Sequence, residues 1–208
     1  MTKFYRVCHI LLALLIKMIF RLRIIGLENE PATGAHLVCA NHMSLWDPVF
    51  MGACLKKRQV RFMAKAELFN IPFVGILVKA LGAFPVKRGG TDITAIRNTI
   101  DLLNKGECVG IFPQGTRHPG VDPRETEVKG GAGMCAFRGK CDVLPVAIVN
   151  KHRRMKLFAK NYVIIGKPIK YEELGITDGD KAQFEAASKV IFDRICDMCD
   201  DYREKILR

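Results

Sequence analysis

Acidic residues are scarce in the first 171 positions of this 208-residue chain: 11 Asp or Glu stand against 27 Lys or Arg, a net charge of +16. Residues 172–208 reverse the balance, with 10 acidic against 6 basic side chains. The basic surface therefore belongs to the N-terminal three quarters and points to an anionic partner: nucleic acid, a membrane surface or a phosphorylated substrate. Cysteine is thin as well. Eight scattered Cys, about 4% of the chain, exclude a disulfide scaffold and read as reduced thiols in a cytoplasmic compartment. Gly and Pro together make 27 of 208 residues, too few for a collagen-like chain. With 49% apolar and 26% charged residues, a disordered chain and a coiled-coil rod are also excluded. The length supports a core without metal or disulfide staples. No repeat, linker or low-complexity segment interrupts it, so one domain over 26–208 is expected after an N-terminal segment over 1–25.

Long hydrophobic runs are missing too. Within residues 4–22 the longest uncharged stretch, Val7 to Ile16, has ten residues, whereas a bilayer span needs about 20. Lys17, Met18, Ile19, Phe20 and Arg21 follow it instead of a small-residue cleavage site, which argues against a processed signal. On a helix, Lys3, Arg6, Lys17 and Arg21 fall within roughly 60° of one another. Most of the remaining circumference is apolar, although Ile10 and Phe20 share the basic arc. This pattern predicts a helix lying in the headgroup layer. A buried helix with a solvated edge and a single span with snorkelling ends are the alternatives.

After Gly26, short apolar runs alternate with helical stretches. Strands are expected over 36–40, 60–64, 83–86, 108–112, 143–149 and 162–165. Asp47 and Pro48 suit an N-cap and first helical position, with a helix running to Leu55. Phe73–Leu81 reads as an apolar helix, and a Gly-weakened helix is expected over Lys129–Arg138. Ile93, Ile96, Ile100 and Leu103 recur at helical spacing. Phe184, Ala187, Ile191, Ile195, Met198 and Tyr202 make the stripe of a long C-terminal helix. The alternation predicts an α/β fold: a central, mostly parallel sheet flanked by helices.

Four strings could carry chemistry. In N-H-M-S-L-W-D-P, His42 precedes Asp47 by five positions, just past an expected strand end. A carboxylate beside an imidazole fixes its tautomer and stabilises the imidazolium, so the pair could take a proton from a hydroxyl. A turn histidine with a helix-capping Asp explains the same string. In G-A-F-P-V-K-R, Lys87 and Arg88 end a short strand and could hold a phosphate, or form an ordinary solvated pair. In F-P-Q-G-T-R, Gln114, Gly115, Thr116 and Arg117 follow a buried strand as a tight turn with a hydroxyl and a guanidinium. V-L-P-V-A-I, from Val143, is by itself core strand.

Together, in this order, the strings resemble the glycerolipid acyltransferase family, specifically bacterial 1-acyl-sn-glycerol-3-phosphate acyltransferases. The family's His-x4-Asp block matches at His42 and Asp47, and its G-x-F-x-x-x-R block at Gly82, Phe84 and Arg88. Its F-P-E-G-T-R block matches at Phe112 to Arg117, with Gln114 in place of Glu, and its Leu-Pro block at Leu144 and Pro145. The link F-M-A-K-A-E-L-F, which contains Lys65, is also family-like, and the resemblance covers roughly residues 25–170. It implies O-acyl transfer from a thioester of coenzyme A or acyl carrier protein to the sn-2 hydroxyl of lysophosphatidate, giving phosphatidate. His42 would be the base and Asp47 its orienting partner. Arg88 and Arg117, with Lys87 or Lys65, would hold the acceptor phosphate, and the Gln114–Thr116 turn would belong to the acceptor site. Backbone N–H groups at the helix opening near Asp47 are the expected oxyanion donors. A thiolate leaves readily, so the reaction calls for no metal or other cofactor. The implied setting is the cytoplasmic face of an anionic membrane, with no nucleic-acid partner.

Two other outcomes share this site: acylation of another lysophospholipid, and thioester hydrolysis with water replacing the alcohol. The absence of G-x-S-x-G argues against a serine hydrolase. Cys196 and Cys199 form C-x-x-C within an amphipathic helix and lack a second ligand pair, so packing explains them better than zinc. The cluster Lys151, Arg153, Arg154 and Lys156 reads as a solvated or membrane-facing patch.

Overall fold

The computed structural model describes residues 13–72, 74–80, 82–86 and 93–207. Its strands are β1 (Leu22–Ile25), β2 (His36–Ala40), β3 (Val60–Lys65), β4 (Phe84–Val86), β5 (Cys108–Ile111), β6 (Asp142–Asn150) and β7 (Asn161–Ile165). The helices are α1, described over 13–19, α2 (Asp47–Cys54), α3 (Val74–Ala80), α4 (Ile93–Asn104), α5 (Gly131–Gly139) and α6 (Lys181–Leu207). The strands form one sheet in the order β1-β7-β6-β2-β5-β3-β4. All neighbours are parallel except β6 and β7. This is the mostly parallel, helix-flanked sheet with a long C-terminal helix that the alternation predicts.

Burial follows the two-residue period of the strands. On β2, Leu37 and Cys39 join a cluster packed on α5 and α6, while Val38 and Ala40 join one packed beneath α1 and α2. On β6, Val143, Ala147 and Val149 face the first cluster and Leu144, Val146 and Ile148 the second. A sheet covered on both faces needs such continuous apolar strands. Gly110 on β5 has a specific cause. A Cβ there would overlap the Phe62 ring, which lies across the strand. Gly110→Ala is expected to cost roughly 1–3 kcal/mol through overpacking, read as a lowered denaturant midpoint with an unchanged unfolding slope. Gly133 plays a similar part between helices: a Cβ would meet the Phe184 carbonyl, and its N–H donates to Ser188 Oγ at 2.8 Å.

Three local expectations change. Residues 22–25, read as the end of the N-terminal segment, are the edge strand β1, paired in register with β7. Ala13, Ile16 and Phe20 of the preceding helix are buried in the core, whereas Leu14, Leu15 and Met18 are exposed. Lys3 and Arg6 of the expected basic stripe lie outside the described residues. Asp47 does not cap α2: Trp46 is the N-cap, Asp47 the first helical residue, and its side chain turns back toward residues 42–44. On α4, Ile96, Ile100 and Leu103 of the expected stripe pack on the core, but Ile93 is exposed, and Ala95 and Thr99 join the buried face. Thr99 fits there because its hydroxyl donates to the Ala95 carbonyl at 2.9 Å.

Candidate active site

Parallel strands deliver their C-terminal ends to one edge of the sheet, where α/β folds place their sites. His42 follows β2 there, Gln114 follows the adjacent β5, and Lys65 closes β3. β4 also ends at this edge at Val86, immediately before Lys87 and Arg88, which lie outside the described residues.

The backbone leaves β2 through Asn41, a buried side chain that extends the ladder by one rung. Its Nδ2 donates to the Ile148 carbonyl at 2.9 Å, and its Oδ1 accepts the Ile148 N–H at 2.7 Å. The amide thus replaces a peptide unit just where the main chain turns away. The next residue, His42, is held on every side. Its N–H donates to Gln114 Oε1 at 2.6 Å, and its carbonyl accepts the His118 N–H at 2.9 Å. Its Nδ1 lies 2.8 Å from Asp47 Oδ2, and its ring stacks on Phe112 with centroids 3.9 Å apart and planes 14° from parallel.

Asp47 is fully buried. Its Oδ2 also accepts the N–H groups of Met43 and Ser44, each at 2.7 Å. With Oδ2 accepting both N–H groups, the Nδ1–H tautomer of His42 donates a third hydrogen bond to it and leaves Nε2 with a lone pair. The position of Asp47 in the first turn of α2 places the carboxyl group at the helix's positive end, which favours a negative charge there. Asp47 Oδ1 has no hydrogen-bond partner among the described residues. The Met43 and Ser44 N–H groups, in the turn before α2, are taken up by Asp47.

Gln114 also differs from the acceptor-site reading. It is 3% exposed, with Oε1 on His42 and Nε2 donating to Thr126 Oγ1 at 2.8 Å. The Thr126 hydroxyl in turn donates to the Pro123 carbonyl at 2.6 Å. Both ends of the amide are occupied, and the side chain links the loop after β2 to the loop before α5. Removing it in Gln114→Ala leaves the His42 N–H unpartnered, at a cost of about 1–3 kcal/mol. The expected result is a roughly ten- to hundredfold fall in kcat with a smaller change in KM, measured by steady-state kinetics.

Gly115, Thr116 and Arg117 are exposed beyond this anchor. Gly115 has φ 71°, and the Lys129 side chain packs over it, so Lys129 is a further cation at this turn that sequence spacing does not flag. Thr116 Oγ1 lies 3.1 Å from His118 Nε2. Arg117 has no ion-pair partner among the described residues, whereas Lys65 pairs with Glu67 at 3.2 Å. A narrow cleft opens behind the loop, lined by His42, Gln114, His118, Asp122, Arg153 and Arg203. Arg153 is neutralised there by Asp122, and Arg203 donates to the Asn150 carbonyl at 3.4 Å. Cys196 and Cys199 are buried on α6; burial pushes the Cys196 thiol up to about 12 and Cys199 higher still. Both pack in the apolar cluster between α6 and the sheet, in line with the packing reading.

The acyltransferase family model matches residues 21–149. A 1-acyl-sn-glycerol-3-phosphate acyltransferase of Bacillus subtilis is 32% identical over 167 residues, covering 79% of this chain and 82% of that protein. One of Streptococcus pneumoniae is 32% identical over 142 residues, of which this chain spans about half the length (52%). The crystal structure of the 1-acyl-sn-glycerophosphate acyltransferase of Thermotoga maritima matches the fold with a TM-score of 0.67. It is 20% identical and is aligned over 96% of this chain and 98% of that one. The matched span holds β1 to β6, the His42–Asp47 pair and the Gln114 anchor, and on this ground the chain belongs to the acyltransferase family.

Proposed function

We propose that the protein acylates the sn-2 hydroxyl of 1-acyl-sn-glycerol-3-phosphate to give phosphatidate, using an acyl thioester as donor. The observation that carries this reading is the single carboxylate oxygen of Asp47, shared by the His42 ring and two backbone N–H groups. It leaves Nε2 as a base for an alcohol. Nε2 takes the hydroxyl proton as the oxygen attacks the thioester carbonyl; the C–S bond then breaks, and the imidazolium returns its proton to the departing thiolate. Asp47 keeps its negative charge throughout and stabilises the imidazolium between these steps.

Arg117, without an ion-pair partner among the described residues and three positions past the Gln114 anchor, is the side chain we assign to the acceptor phosphate. Arg88, Lys87 and Lys65 share that assignment because β4 and β3 end at the same edge. Val74 and Ile76 of α3 are exposed apolar residues against which an acyl chain can lie. Arg117→Ala is expected to raise KM for lysophosphatidate about tenfold to a hundredfold, the loss of one charge-assisted hydrogen bond, with kcat little changed. Among the described residues no helix is long and apolar enough to cross a membrane. We assign the N-terminal segment to the interface of an anionic membrane, on its cytoplasmic face, with the exposed Leu14, Leu15 and Met18 in the lipid.

The test gives the purified protein acyl-coenzyme A and acyl-carrier-protein thioesters, each with lysophosphatidate and with lysolipids lacking a phosphomonoester. Product is followed by mass. Phosphatidate from lysophosphatidate above all other acceptors is expected. Equal use of neutral lysolipids, or free fatty acid as the main product, would overturn the reading.

A further inference from the structure

The loop between β6 and β7, residues 151–160, contains five Lys or Arg and no acidic residue. Lys151, Arg154, Lys156 and Lys160 are exposed, without an ion-pair partner among the described residues. Between the last two sit Leu157 and Phe158, which are 61% and 68% exposed. Phe158 has φ 60°, a left-handed conformation that a bulky side chain rarely adopts. Its N–H is held by the Ile19 carbonyl at the end of α1, at 2.8 Å. An aromatic ring is thus fixed outward in water by a backbone that opposes it.

The loop is not isolated. It leaves the C-terminal end of β6, the neighbour of β2, and so lies on the same edge as His42. Asn161, at the loop's end, donates to the Phe20 carbonyl at 2.9 Å. The Phe20 ring contacts Trp46 with centroids 5.0 Å apart, and Trp46 and Leu45 are themselves 44% and 68% exposed. These contacts join the β6–β7 loop, the end of α1 and the loop carrying His42 into one apolar rim bordered by cations.

We propose that the β6–β7 loop is a second membrane-docking element, which inserts Leu157 and Phe158 into an anionic phospholipid bilayer and, with Trp46, sets the depth of the His42 site at the interface. The occupant follows from charge complementarity. Apolar side chains flanked by unpaired Lys and Arg suit acyl chains beneath anionic headgroups. A protein partner with an acidic apolar groove is the competing occupant. The proposal rests on the acyl-transfer reading only for its purpose, delivery of the site to a lipid acceptor; the docking itself needs no turnover.

Trp46 is the chain's single tryptophan, so its fluorescence reports the rim directly. Full-length protein is titrated, without donor or acceptor, with vesicles of phosphatidylcholine alone and of phosphatidylcholine with phosphatidylglycerol. A blue shift of Trp46 emission is expected with the anionic vesicles, weakening as salt screens the headgroups. The double variant Leu157→Ser with Phe158→Ser changes only exposed side chains. It is expected to bind anionic vesicles about tenfold or more weakly and to lose the shift, while keeping the parent's kcat on a dispersed short-chain lysophosphatidate. An unaltered shift and affinity in the double variant, or no vesicle-induced shift in the parent, would overturn the proposal. So would an equal loss of activity on the dispersed acceptor, which would place the loop in the catalytic machinery. If the chain proves inactive on lysophosphatidate yet shows the shift, the docking stands and the substrate reading falls.

Discussion

His42→Ala is expected to lower kcat for acyl transfer by about 10² to 10⁴, the range of a lost general base, and to leave the fold intact. The main-chain anchors of residue 42, to Gln114 Oε1 and the His118 N–H, do not involve the imidazole. What the variant removes is the ring on Phe112 and the Nδ1 contact to Asp47. Asp47 keeps its two backbone donors, so the buried carboxylate is not abandoned. Turnover and stability should therefore separate: near-parental unfolding by denaturant alongside loss of product. Retained turnover would remove the imidazole from the chemistry.

Asp47→Asn is expected to cost up to about 10⁴ in kcat, the loss found when another orienting carboxylate is made neutral. The amide has almost the same shape and can offer its oxygen to Met43 and Ser44. It has no charge with which to stabilise the imidazolium, and its N–H₂ cannot accept. Asn is the informative substitution here. Alanine would leave two buried N–H groups unpartnered, at roughly 1–3 kcal/mol each, and would confuse catalysis with folding. Near-parental kcat in a folded Asp47→Asn would demote the carboxylate to a turn anchor.

The parts of the site that read well in the sequence are local ones. His42 and Asp47 are five positions apart, straddling a strand end and a helix start, so spacing alone brings them together. The same spacing misled about detail: a helix-opening Asp reads as a cap, and its accepting of N–H groups from the preceding turn depends on a loop geometry that no periodicity encodes. The Gln114–His42 bond joins residues 72 positions apart. It follows from β2 and β5 being adjacent and parallel, which the alternation of elements suggests but does not order. Asn41 and Phe112 were hidden for the same reason, because a ladder-extending amide and a stacking ring acquire meaning only beside β6 and His42. β1 was masked by composition. Leu22–Ile25 continues an apolar stretch, and without a turn signal its switch from helix to strand leaves no mark.

The central claim is that the thioester is cleaved by the acceptor's own oxygen, deprotonated by His42. Thiol release from an acyl thioester, followed in a single turnover with and without lysophosphatidate, tests it most directly. Release only when lysophosphatidate is present, in amounts matching phosphatidate, and its loss in His42→Ala, is the predicted result. A burst of thiol without acceptor, or acceptor-dependent release that survives in His42→Ala, would contradict it.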